Sequence, residues 1–255
     1  MEWHDTGFVL LARRHGESAL IVELLTAEHG RRAGLVRGGQ SPRRRAQFQP
    51  GNHVAIGWRG RLPEHLGSFE CELLAAPAAH FLDDAARLAA LNAASALLLA
   101  AVPEHEPHPD MYESFAGLLQ ALAEPASPPI PERAWAAAYV RWECALLAGL
   151  GYGLDLSCCA ATGSADDLAY VSPRTGRAVS RRAGLPYRDK LLPLPEFLCH
   201  DAAATPADIV AGLRLTRHFL VHHVFAPQGG RIPEARERLA ERMRRAAASG
   251  MVTSN

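Results

Sequence analysis

Eight arginines and no aspartate or glutamate fall between Arg31 and Arg61, in RRAGLVRGGQSPRRRAQFQPGNHVAIGWRGR. Guanidinium groups crowded on a short segment repel one another unless an anion lies against them, and a phosphate backbone is the commonest such anion. A solvated charge run is the plainer reading. Placement argues for the phosphate, because the charge sits on a strand–loop–strand rather than on a polar tail. Arg37, Arg43, Arg44, Arg45, Arg59 and Arg61 are the phosphate candidates, and Arg13 and Arg14 extend the track. A surface that follows a single strand also needs flat side chains for bases. Trp58 and Phe48 either serve that purpose or fill a core.

The rest of the chemistry-bearing residues make no catalytic constellation. The chain has no Gly-x-Ser-x-Gly, no Walker-type loop and no Gly-x-Gly-x-x-Gly. His222 and His223 are adjacent, so on a helix they point about 100° apart and do not form a His-Glu-x-x-His pair. No enzyme activity and no cofactor are expected. Five cysteines (Cys71, Cys144, Cys158, Cys159, Cys199) are an odd number without disulfide rhythm. The start, MEWHDTGF, lacks a basic segment followed by an apolar one, and the apolar run Ala93 to Val102 is too short to span a bilayer. The expectation is a cytoplasmic protein without a membrane partner.

The elements that must position the arginines follow from periodicity. Short apolar runs bounded by turn signals, with alternation in Arg31–Arg37 and Ser68–Leu74, predict strands over Gly7–Arg13, Ala19–Thr26, Arg31–Arg37, Asn52–Trp58 and Ser68–Leu74. Five short strands in so few residues predict a small closed barrel, with an SH3-like barrel also open. After Pro77 the period changes, predicting helices over Phe81–Val102, Met111–Leu122, Trp135–Leu150, Pro206–Phe225 and Pro233–Ala248, with a hairpin over Leu168–Ser180. The reading is α+β, with a barrel domain at 1–78 and a helical domain at 79–250 that carries a hairpin subdomain at about 155–190. The formal net charge is +0. It conceals a basic stretch over residues 1–61, an acidic one over 62–132 and a basic one over 133–255, which implies distinct surfaces with distinct partners.

The chain resembles the RecO family of bacterial recombination mediators. The resemblance is carried by LVRGGQSPRRR (Leu35–Arg45), the block Arg141, Leu146, Leu147, Gly151, Leu156, Cys159 and Gly163, and the Ser-Pro-x-x-Gly hairpin that follows. It covers essentially the whole chain. The resemblance implies an N-terminal five-stranded OB-fold, binding of single-stranded DNA, and annealing of complementary strands. It also implies recombinase loading onto strands coated by single-strand-binding protein, with RecR and that protein's C-terminal tail as partners, at the nucleoid. The acidic, apolar-ended tail would need an apolar groove with a rim cation; Arg133 and Arg141, on or beside the helix around Trp135–Leu150, are the rim candidates. Many members carry a four-cysteine zinc site flanking the hairpin. Here Cys158 and Cys159 are adjacent, Thr162 stands at the next cysteine position, and Arg177–Gly184 has no cysteine. The ligand count fails, so no metal is expected and the hairpin is a degenerate zinc-finger-like element, held instead by packing of Leu168, Tyr170 and Val179. Two rival readings remain: an RNA-binding barrel with a helical partner-docking domain, and a scaffold whose arginines meet acidic proteins.

Overall fold

The computed structural model describes residues 1–62, 65–125, 134–200 and 202–252. The chain forms two compact units, Met1–Pro125 and Ala126–Asn255. Five strands build the first: β1 (Glu2–His15), β2 (Ala19–Thr26), β3 (Arg31–Val36), β4 (His53–Arg59) and β5 (Ser68–Ala75). They close into a barrel in the order β1-β2-β3-β5-β4, the strand order of an OB-fold. β1 serves two ladders. Its first half pairs antiparallel with β4, from Glu2–Arg59 to Phe8–His53, and its second half with β2, from Gly7–Thr26 to His15–Ala19. A bulge between Val9 and Leu11 bends the strand from one ladder into the other. β3 and β5 complete the closure in parallel at Leu35–Ser68.

β1 begins five residues before the sequence-predicted start at Gly7. Residues 2–6 are mostly polar and are held by backbone pairing to β4, so no apolar alternation announces them. The other four strands fall within a residue or so of expectation; β3 and β4 bury every second side chain, β2 is buried along almost its whole length, and β5 sends Phe69 into the core. That core is Val9, Leu20, Val22, Leu24, Val36, Phe48, Val54, Ile56, Trp58 and Phe69. Each large side chain withdrawn from water this way contributes about 1.5–3 kcal/mol before entropy is charged against it.

Between β3 and β4 lie a one-turn helix α1 (Pro42–Arg45) and a 3-10 turn (Ala46–Phe48). After β5 come α2 (Ala85–Ala101) and α3 (Pro109–Ala123). Asp84 caps α2, its carboxylate accepting from the amides of Ala86 and Arg87, which sets the helix start later than the predicted Phe81. By contact these helices belong with the barrel. Phe8 packs on Tyr112 and Phe115, with ring centroids 5.0 and 5.7 Å apart, and Tyr112 Oη meets Thr6 Oγ1 at 3.0 Å and His53 Nε2 at 2.9 Å.

The second unit holds α4 (Ala134–Gly149), a small sheet of β6 (Leu168–Val171), β7 (Ala178–Ser180) and β8 (Leu192–Pro193) in the order β7-β6-β8, the one-turn helix α5 (Arg181–Gly184), α6 (Pro206–Phe219) and α7 (Glu234–Val252). A capping box starts α6, with Thr205 and Asp208 each bonding the other's amide. The helix expected to run to Phe225 changes at Leu220 into a π-helical turn, Leu220–Phe225. A buried ion pair joins the helices. Arg236 of α7 donates through Nε and Nη2 to the Glu143 carboxylate of α4 at 3.0 and 2.9 Å, and Thr216 of α6 donates to the same carboxylate.

Candidate nucleic-acid interface

Register strings the predicted arginines along a continuous rim across neighbouring strands of the barrel. Arg14 faces Leu20, which faces Val36; Leu35 faces Ser68, which faces Arg59, which faces Glu2. The β1–β2 turn, the exit of β3 and the exit of β4 therefore follow one another along a rim that winds across neighbouring strands, and Arg13, Arg14, Arg37, Arg59 and Arg61 are all exposed along it. Gln40 fastens the arginine loop to the same rim: its side-chain amide donates to the carbonyls of Gly16 and Ala19 at 3.0 and 2.9 Å. The sequence reading missed Gln40, and nothing local in the sequence marks it.

The loop itself is shaped rather than loose. Gly38 takes a positive φ of 65°, the left-handed turn a side chain would resist. Pro42 opens α1, so Arg43, Arg44 and Arg45 stand on a helical turn. Arg44 donates through Nη1 to the Arg37 carbonyl at 2.8 Å, which closes the loop on itself. Among the described residues, no carboxylate comes within ion-pairing distance of Arg13, Arg14, Arg37, Arg43, Arg44, Arg45 or Arg61. Arg59 differs. It pairs with Glu2 at 3.0 Å, and the hydrogen bond and charge of Arg59 hold the Glu2 carboxyl below its usual range. An incoming phosphate would have to compete with that carboxylate.

Two flat candidates are corrected. Trp58 is 1% exposed and Phe48 2%, both inside the barrel core. A Cβ on Gly67 would come within 2.2 Å of Trp58 Nε1, and one on Gly60 within 2.4 Å of Cζ2, so the chain itself closes over the indole. Trp58 Nε1 donates to the Leu66 carbonyl at 3.3 Å, and Trp3 stacks at 5.5 Å. No face is left for a base. The alternation Val54, Ile56, Trp58 already put the three on one side of β4.

In the second unit Arg141 is exposed, and its Nε and Nη2 donate to the Phe197 carbonyl at 3.2 and 2.9 Å while the guanidinium lies 5.3 Å from the Phe197 ring. Arg133 lies outside the described residues. The hairpin cysteines do not make a metal cradle. Cys159 Sγ is buried and accepts the Ser180 amide at 3.2 Å. Burial acts to raise this thiol, but hydrogen bonds from Ser180 and Thr162 and from the Ser180 and Ala161 amides outweigh it and bring it down to about 6. Cys199 Sγ lies 4.0 Å from the Leu156 carbonyl. Among the described residues no three His, Cys, Asp or Glu side chains come together with metal-holding geometry, so a four-ligand zinc does not fit.

The geometry is that of a basic-rimmed barrel joined to a helical unit, and known proteins share its sequence throughout. A family model described as the N-terminal part of recombination protein O matches residues 1–76, and one for the C-terminal part matches residues 82–231. The chain belongs to the RecO family. The DNA repair protein RecO of Rhodospirillum rubrum is 53% identical over 250 residues, covering 96% of this chain and 97% of the relative. That of Rhodospirillum centenum is 51% identical over 255 residues, covering 99% of both. That of Caulobacter vibrioides is 48% identical over 244 residues, covering 95% and 98%. Within the RecO-family match the arginine rim lies in the N-terminal part and Arg141 in the C-terminal part, while α7 lies past the matched segment and still supplies Arg236 to the core. Among the described residues no helix is long and apolar enough to cross a membrane.

Proposed function

We propose that this chain is a DNA repair and recombination mediator that holds single-stranded DNA on the arginine rim of its barrel. In this reading it anneals complementary strands and helps load recombinase onto strands coated by single-strand-binding protein, with RecR as a partner. The observation that carries it is a rim of arginines, all but Arg59 without a carboxylate partner among the described residues, on an OB-fold barrel, in a chain whose relatives are named DNA repair protein RecO. Cations spaced along a barrel rim track a phosphate backbone and read no sequence. Competition among single-stranded DNA, duplex DNA and RNA of equal length tests it. Single-stranded DNA should win. Preference for RNA would favour an RNA-binding barrel, and no binding even at low salt would leave a scaffold for acidic proteins.

The helical unit is the proposed dock for the acidic, apolar-ended tail of single-strand-binding protein, with Arg141 as rim cation and Arg133 as a second. Arg141 is suited to this because its charge is exposed and its described partner is a carbonyl rather than a carboxylate. Arg141→Glu should weaken tail-peptide binding about fivefold, the equivalent of about 1 kcal/mol of lost rim attraction. Calorimetric titration with the peptide, beside a melting curve, checks this. Unchanged affinity in both Arg141→Glu and Arg133→Glu would move the dock elsewhere.

A further inference from the structure

A strand-binding surface needs cations and flat faces, and among the described residues of the barrel no Phe, Tyr or Trp is exposed. Among the described residues of Met1–Pro125 the exposed large apolar side chains are Met1 and leucines; the exposed aromatic ones, Tyr152 and Tyr187, lie in the second unit. Tyr152, 42% exposed, stands in a cleft of about 210 Å³ with Gly153, Arg174, Gly176, Phe219 and His223.

Three fixed pieces build this cleft. The first is the end of α4. Gly151 takes a φ of 87°, its amide donates to the Ala148 carbonyl at 2.9 Å, and the Tyr152 amide donates to the Leu147 carbonyl at 2.8 Å. These are the two bonds of a Schellman stop, which sets where Tyr152 projects. The second is the β6–β7 turn, closed by the Gly176 amide on the Ser172 carbonyl at 2.9 Å and held to the α4 exit by the Asp155 amide on the Gly176 carbonyl at 3.1 Å. The third is the π-helical turn after α6, an irregularity that recurs at functional sites. His218, in the last turn of α6 just before it, meets the Pro173 carbonyl at 3.2 Å and fastens the β6–β7 turn to α6.

Rings form a column across these pieces. Buried Phe219 stacks on His223 at 5.6 Å and 16°, and His223 packs on Tyr152 at 5.6 Å and 36°. At the mouth, exposed Arg174 has no carboxylate partner among the described residues, and neighbouring Asp155 is taken by Arg177 at 3.2 Å. A cationic ligand would meet the like charge of Arg174. A planar ring carrying an anionic group suits both the column and the guanidinium.

We propose that this cleft is a base-stacking site for single-stranded nucleic acid, in which Tyr152, backed by His223, offers its outer face to one base and Arg174 meets the adjoining phosphate. It rests on the nucleic-acid reading of the barrel and adds a second, separate contact to it. The test uses the full chain and an oligothymidine substituted with 5-iodouracil, cross-linked by light and mapped by mass spectrometry, with affinities for Tyr152→Ala and Tyr152→Phe. Cross-links should map to a peptide holding Tyr152 or His223. Tyr152→Ala should bind about tenfold more weakly, Tyr152→Phe like the native chain, and the salt slope should stay the same because stacking displaces no counterions. Cross-links confined to the barrel, or native affinity in Tyr152→Ala, would overturn the site and leave the barrel reading standing. No binding of the oligonucleotide at any salt would overturn both.

Discussion

Arg236→Met should destabilise the helical unit by about 3–5 kcal/mol, the cost of leaving a buried carboxylate without its cation. Arg236 is 1% exposed and Glu143 is fully buried, and the pair joins α7 to α4 with Thr216 of α6 on the same carboxylate. Removing the guanidinium leaves Glu143 with one hydroxyl partner and no countercharge. The double variant Glu143→Leu with Arg236→Met should recover most of the loss, because well-packed apolar residues replace a buried pair at little net cost. Urea midpoints for the single and double variants check this. Equal losses in both would mean that the stabilisation lies in packing by the arginine stem rather than in the charges.

Trp58→Ala should cost about 3–5 kcal/mol, the range for emptying a buried large aromatic site. The indole is gripped by Trp3, by the Leu66 carbonyl and by the glycine approaches at Gly60 and Gly67, so its removal leaves a cavity at the barrel end from which Arg59 and Arg61 project. Trp58→Phe should cost less, since much of the volume is retained. Thermal melts should show both losses. At a temperature where the variants are folded, single-strand affinity should match the native chain. Reduced affinity in folded Trp58→Phe with unchanged stability would reinstate a stacking role.

What could be read from sequence divides along physical lines. β2 was legible to the residue because a short run of β-branched and large apolar side chains, Leu20 to Leu25, lies between the turn residues Gly16 and Gly30, which is a local signal. The first residues of β1 were not, since their pairing with β4 is satisfied by backbone and leaves no mark on side-chain polarity. The arginine cluster was visible as composition. Its gathering at one rim depends on Leu35, Ser68 and Arg59 meeting across ladders, which no window of sequence contains. The same holds for Glu143 and Arg236, 93 residues apart. α1 was hidden for another reason: a single turn opened by proline inside a charged loop has too few residues to show a helical period.

The central claim, that the arginine rim holds a single strand through its phosphates, is tested most directly by affinity for single-stranded DNA as a function of salt. With about five phosphate contacts the log–log slope should lie near −3.5, each contact adding about −0.7. Replacing Arg43, Arg44 and Arg45 together by alanine removes about three contacts, so the slope should flatten to about −1.4 and affinity should fall alike for all sequences. The melting temperature should fall only slightly, because the three side chains have no carboxylate partners among the described residues, leave the core untouched and give up one surface bond, from Arg44 to the Arg37 carbonyl. A triple variant with native affinity and native slope would contradict the account.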